Sequence, residues 1–211
     1  MRTLDLMNLA PVVPVVVLDD AGSAVPLARA LVAGGLPVIE VTLRTEAALE
    51  GIRRIAAEVP DAVVGAGTVV TPGQVKEAAG AGSRFLVSPG CTDTLRAAMA
   101  DSGLPFLPGV STASEAMALL EHGVTELKFF PAKAAGGAPY LKALSAPLPG
   151  LSFCPTGGIT LDSAPDFLVL PNVPCVGGTW LTPADAVAAG DWTRIERLAA
   201  QAASLAAPVT A

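Results

Sequence analysis

Short, nearly continuous apolar runs alternate with Ala- and Leu-rich stretches along this chain, and that alternation restricts the fold more than any other feature. The β-rich runs are Val12–Leu18, Pro37–Leu43, Ala62–Ala66, Arg84–Ser88, Phe106–Leu107, Glu126–Phe129, Ser152–Cys154 and Cys175–Val176. Between and after them, helical stretches span Ser23–Ala33, Glu46–Val59, Pro72–Ala81, Thr92–Ser102, Ala113–Glu121, Tyr140–Leu144, Ser163–Leu168 and Ala184–Ala206. A strand that is apolar at every position is buried on both faces, which is the condition of a parallel sheet covered by helices. Repeated strand–helix units of this kind predict an α/β fold, a single-domain (β/α)8 TIM barrel over residues 1–211. An open doubly wound sheet is the competing architecture. It usually carries a glycine-rich fingerprint after its first strand, whereas here Leu18 is followed by Asp19-Asp20-Ala21-Gly22-Ser23, a helix cap.

Composition narrows the partners. Hydrophobic residues make up 52% of the chain and charged residues 15%, yet Gly, Pro or a charge interrupts each apolar run. No run approaches the roughly 20 residues of a membrane span, and Met1–Ala10 lacks a basic segment leading into an apolar one, so a soluble cytoplasmic protein with no membrane partner is expected. A net charge of −6 and 4% aromatic residues speak against nucleic acid, which needs a basic footprint or stacking platforms. Cys91, Cys154 and Cys175 are odd in number and widely spaced, and read as small buried residues. With His122 the only histidine, and at a helix end, the sequence speaks against a His-based metal site or a Ser-His-Asp triad, and no metal or cofactor is expected.

The charged residues inside apolar strands are the candidates for chemistry. Of the four lysines, Lys76 and Lys142 lie in helical stretches that point lysines into water, and Lys133 lies in the polar loop Ala132–Gly137. Lys128 sits among Leu127, Phe129 and Phe130, where desolvation disfavours the ammonium form. A neutral amine of this kind attacks a carbonyl to form an imine; the alternative is a strand-end lysine reaching out to solvent. The run Val38–Arg44 puts Glu40, Thr42 and Arg44 at alternate positions, hence on one strand face. A carboxylate in an apolar strand is costly unless paired. Glu40 is therefore either an internal partner of Arg44 or Lys128, or a general acid/base. Arg44 offers a planar fork for a carboxylate, or a surface ion pair with Glu46 or Glu50. Strand ends also carry Gly65-Ala66-Gly67-Thr68, Ser88-Pro89-Gly90 and Pro108-Gly109-Val110-Ser111-Thr112. Pro155-Thr156-Gly157-Gly158 and Gly177-Gly178-Thr179 follow the seventh and eighth strands, where barrels of this type bind phosphate on backbone N–H groups.

With these segments in view, the chain resembles the 2-keto-3-deoxy-6-phosphogluconate aldolase family, also called 4-hydroxy-2-oxoglutarate aldolase, from about Pro11 to Trp192. The motifs that carry the likeness are Ile39–Thr45, Gly65–Val69, Val87–Gly90, Leu127–Ala132 and Phe153–Ile159. The resemblance implies a class I, metal-independent aldolase, usually a homotrimer, acting on a small phosphorylated keto acid without a cofactor. By the same resemblance Lys128 forms the imine and Glu40 moves protons. Arg44 and Thr68 hold the carboxylate of the pyruvyl half, Pro89 shapes that pocket and Phe130 packs beside the imine. Thr156, Gly157, Gly158, Gly178 and Thr179 hold the distal phosphate. Family members often have Ser where Thr179 stands and Glu where Lys133 stands. Two other readings share the pocket: a phosphosugar isomerase or epimerase using Glu40 as base without an imine, and a non-catalytic binder of keto acids or sugar phosphates.

Overall fold

The computed structural model describes residues 1–205. The chain begins with a short helix α1 (Thr3–Met7), then runs β1 (Val12–Val16), α2 (Ala24–Ala33), β2 (Val38–Thr42), α3 (Ala48–Glu58), β3 (Val63–Gly67) and α4 (Pro72–Gly80). It continues through β4 (Leu86–Val87), α5 (Asp93–Asp101), β5 (Phe106–Leu107), β6 (Gly109–Val110), α6 (Ala113–Leu120), β7 (Glu126–Phe129) and α7 (Gly137–Ser145). Last come β8 (Ser152–Pro155), α8 (Ala164–Leu168), β9 (Val176–Gly178), α9 (Ala184–Ala189) and α10 (Trp192–Ala203). It is an α/β protein with parallel strand pairing throughout: one sheet in the order β5-β4-β3-β2-β1-β9, the other β6-β7-β8. Only Pro108 separates β5 from β6, and a parallel bridge joins Thr156, just past β8, to Gly177 in β9.

The buried side chains fall into two groups that alternate along each strand. Val12, Val16, Ile39, Val41, Val64, Ala66, Leu86, Leu127, Phe129, Phe153 and Val176 pack outward against the helices. Val13, Val38, Phe85, Val87, Leu107, Cys154 and Cys175 form a separate inner cluster. Two apolar faces explain why the strands read as continuous apolar runs. Glu40, Thr42 and Lys128 share the parity of the inner set, since side chains two apart lie on one face.

One helix lies outside the stretches read as helical, and two expectations from the sequence need correction. Met1–Ala10 contains α1, whose Leu6 and Met7 pack into the inner cluster. The expected helix Ala184–Ala206 is two helices, broken at Gly190, which adopts φ 65°, and restarted by Asp191, whose carboxylate accepts from the Arg194 N–H at 3.0 Å; its last residue lies outside the described residues. Strand β2 ends at Thr42, so Arg44 stands in the following turn, where its N–H donates to the Thr42 carbonyl, and does not continue the Glu40–Thr42 face. Among the described residues no helix is long and apolar enough to cross a membrane.

Candidate active site

Lys128 and Glu40 come from strands 88 residues apart in sequence and meet in the interior, Lys128 Nζ donating to Glu40 Oε1 at 3.2 Å. Both are buried, at 5% and 3% exposure. Register makes the meeting possible. Glu40 pairs with Val15 and Gly65, and Lys128 with Gly109 and Cys154. Two charges placed where water is scarce neutralise one another, and truncating one would strand the other. The Phe130 ring stands over the ammonium, its centroid 5.3 Å from Nζ, and contributes a cation–π contact. Of the partners the sequence offered Glu40, Lys128 is the one it meets, and a carboxylate within hydrogen-bond reach of an amine has the geometry a proton carrier needs.

Glycine makes room for this pair. A Cβ on Gly67 would overlap the Glu40 carboxylate, so the bare backbone of β3 is what lets the side chain lie across it. Thr68 follows with φ 58°, and it is the only non-glycine residue with a positive φ among the described residues. A β-branched residue in that region is strained. Ser88 is fully buried, and its Oγ accepts from the Gly109 N–H at 3.3 Å; Pro89 backbone packs where a Gly109 Cβ would sit. Since Gly109 is the register partner of Lys128, the turn after β4 is keyed to the lysine's strand.

Thr42 is fully buried and its hydroxyl donates to the Val16 carbonyl at 3.0 Å; it ties β2 to β1. Arg44 is exposed and forms no ion pair among the described residues; Glu50, a partner considered from the sequence, is engaged by Arg53. The guanidinium thus remains available to an anion. Lys133 is exposed, in contrast with Lys128. Cys175, in the inner cluster, has its thiol pushed well up by a hydrogen bond with Cys154 and by burial. It stays protonated and is no rival nucleophile. Cys91, expected to be buried, is half-buried beside Arg96.

The glycine loops separate into two parts. Gly157 and Gly158 adopt φ 105° and 75°. The Ala132 N–H donates to the Thr156 carbonyl at 2.8 Å and the Lys133 N–H to the Gly157 carbonyl at 3.0 Å, so this loop lies against the residues after Lys128. A parallel bridge also joins Thr156 to Gly177 of β9, so the loop is tied to both neighbouring strands. Thr156 packs on Gly177, and the Trp180 ring lies over Gly178. Thr179 is exposed and lines a cavity of about 530 Å³ with Asp19, Asp20 and Ser23.

A family model described as "Aldolase: KDPG and KHG aldolase" matches residues 4–198. This chain belongs to that aldolase family. It is 52% identical over 205 residues to the 2-dehydro-3-deoxy-phosphogluconate aldolase of Pseudoalteromonas atlantica, covering 97% of this chain and 95% of the relative. To the KHG/KDPG aldolase of Escherichia coli K12 it is 51% identical over 197 residues, covering 93% and 92%. A KDPG aldolase structure from Legionella pneumophila, with pyruvate captured at low pH as a covalent carbinolamine intermediate, matches with a TM-score of 0.94 at 45% identity, covering 97% of this chain and 99% of the other.

Within this aldolase, three features escaped the sequence reading. Ser88 passed as an ordinary turn residue, although a serine at the end of an apolar strand is a signal that its hydroxyl has a partner. Gly67 stood out only as part of a strand-end segment, and its fit to the Glu40 side chain had no mark in the sequence. Trp180 carried no signal at all, because its role is to cover Gly178, and that contact depends on the path of the loop.

Proposed function

We propose that this aldolase reversibly cleaves 2-keto-3-deoxy-6-phosphogluconate to pyruvate and glyceraldehyde 3-phosphate through a Schiff base on Lys128, and acts on 4-hydroxy-2-oxoglutarate as well. The observation that carries the reading is the buried contact between Lys128 Nζ and Glu40 Oε1. The unprotonated lysine nitrogen adds to the C2 ketone, giving a carbinolamine; loss of water leaves a protonated imine. Glu40, directly or through a water, takes the proton of the C4 hydroxyl. The C3–C4 bond breaks, its electron pair flows into the imine to give an enamine, and the aldehyde leaves. Proton return to C3 and hydrolysis release pyruvate and the free amine. The imine lowers the barrier because it accepts the electron pair that a bare carbanion would have to hold.

Arg44, with its unpaired guanidinium, and Thr68 take the substrate carboxylate, the geometry in which a bidentate fork is strongest. Pro89 and Phe130 wall the pyruvyl half. Thr156, Gly157, Gly158, Gly178 and Thr179 receive the phosphate, which glycine-rich backbone can approach closely. Two features favour closure of the strands into one (β/α)8 barrel: the single-residue gap at Pro108 and the Thr156–Gly177 bridge. The catalytic pair then stands inside the ring, toward the C-terminal ends of the strands. The chain works as one domain over residues 1–211, as a cytoplasmic homotrimer by its family likeness.

Incubation with pyruvate and borohydride, followed by digestion and mass analysis, tests the reading. The reduced adduct is expected on the peptide holding Lys128, and Lys128→Met abolishes both adduct and turnover in a folded protein. An adduct on Lys133, or none, overturns the assignment and favours imine-free isomerase chemistry or simple binding.

A further inference from the structure

Lys133 takes no part in the chemistry above, yet it is built against the glycine loop. Its N–H donates to the Gly157 carbonyl at 3.0 Å. Its stem lies along Gly158: a Cβ placed there would stand 2.8 Å from Lys133 Cβ and 3.1 Å from its Cδ. The absence of a side chain at Gly158 is thus what lets the lysine follow the loop. The ammonium forms no ion pair among the described residues. Beside it lies a cavity of about 650 Å³, whose polar lining comes from Lys133, Lys142, Gly158, Thr160, Ser163 and Asp166. The other half of the phosphate region has the opposite sign, since Thr179 shares its cavity with Asp19 and Asp20. A phosphate held between Thr179 and the glycine loop is thus biased toward the Gly157–Gly158 side.

We propose that Lys133 is a specificity-determining residue, the cation that draws the distal phosphate onto the Gly157–Gly158 loop and favours phosphorylated over unphosphorylated keto acids. This rests on the aldolase reading of the site. Backbone N–H groups supply direction, and Lys133 supplies a positive charge directly beside the loop. As Lys133 is exposed, salt weakens the attraction.

The test compares kcat/KM of the wild type, Lys133→Ala and Lys133→Arg on 2-keto-3-deoxy-6-phosphogluconate and on 4-hydroxy-2-oxoglutarate, with borohydride trapping of pyruvate on each protein. Lys133→Ala is expected to lower the ratio of the two specificity constants about tenfold, through KM for the phosphorylated substrate, equivalent to about 1.4 kcal/mol. Lys133→Arg restores most of the ratio, and added salt lowers it in the wild type more than in Lys133→Ala. An unchanged ratio in Lys133→Ala, with pyruvate still trapped on Lys128, overturns the role of Lys133 and leaves the aldolase site standing. Failure of the wild type to trap pyruvate on Lys128 removes the aldolase site and the proposal with it.

Discussion

Thr68 holds a conformation that a threonine would not choose. With φ 58° it sits in the left-handed region, where a non-glycine residue stores about 1–3 kcal/mol. Glycine relieves that strain at an entropic cost of about 0.5–1 kcal/mol. Thr68→Gly is therefore expected to raise stability by about 1 kcal/mol in a denaturant melt, while KM for the keto acid rises because the hydroxyl is gone. A melt at or below that of the wild type would mean the strain is absent. At this scale the sequence was informative for a particular reason. Lys128 and Glu40 are charges in apolar strands, and such residues must be paired or functional. Their distance from one another was not legible. It depends on how β7 and β2 are staggered around the inner cluster, and a stagger between strands 88 residues apart leaves no local mark. The same holds for Gly67 and Glu40, whose fit is a contact between β3 and β2.

Helix starts decide whether the loops after the strands are fixed. At α6, Thr112 Oγ1 accepts from the Glu115 N–H at 3.3 Å, and Glu115 accepts from the Ser111 N–H at 2.7 Å and the Thr112 N–H at 2.9 Å. This reciprocal cap anchors the segment leaving β6, the neighbour of the lysine's strand. The Ser111 N–H above all, helped by bonds from Thr112 and the Ser111 hydroxyl and opposed by desolvation, holds the Glu115 carboxyl below the usual range. A depressed carboxyl contributes its stability above the pH at which the unfolded chain titrates, roughly 4.3, and loses it as the pH falls through the folded value. Glu115→Gln keeps an acceptor and removes the titration. Its stability is expected to fall less than that of the wild type between about pH 5 and 3, in chemical melts taken across that range; parallel curves would refute the assignment. Glu115→Ala is expected to cost about 1 kcal/mol at neutral pH. Caps of this kind were legible because Thr-x-x-Glu is a local pattern. The break between α9 and α10 was less so: an Ala-rich stretch reads as one helix, and only Gly190 followed by Asp191, a left-handed turn and then a new cap, marks the stop.

At the scale of the whole molecule, two-sided burial made the α/β architecture readable, since outward and inward faces are both apolar and the strands carry no polar alternation. The helix that begins the chain had no such signature: α1 has 5 residues, too few to display a period. Its place in the structure is nonetheless specific. Leu6 and Met7 are buried at 2% and 1% exposure among inner residues that include Val38, the first residue of β2. Arg2 lies within electrostatic reach of Glu126, the first residue of β7. Glu126 stands at a strand beginning, whereas Lys128 and Glu40 are the third residues of their strands and the loops proposed to bind substrate follow strand ends. The start of the helix therefore lies toward the strand beginning at Glu126 rather than toward the loops proposed to bind substrate. Emptying a fully buried leucine site costs about 2–5 kcal/mol. Leu6→Ala is expected to lower unfolding free energy by that amount while leaving borohydride trapping at Lys128 and KM close to the wild type, because the strand ends that form the site are held by their own register. Loss of trapping in a Leu6→Ala protein that still melts cooperatively would mean the two ends of the sheet are coupled through the inner cluster. A loss of stability below about 1 kcal/mol would mean the helix merely rests on the sheet and does not complete its core.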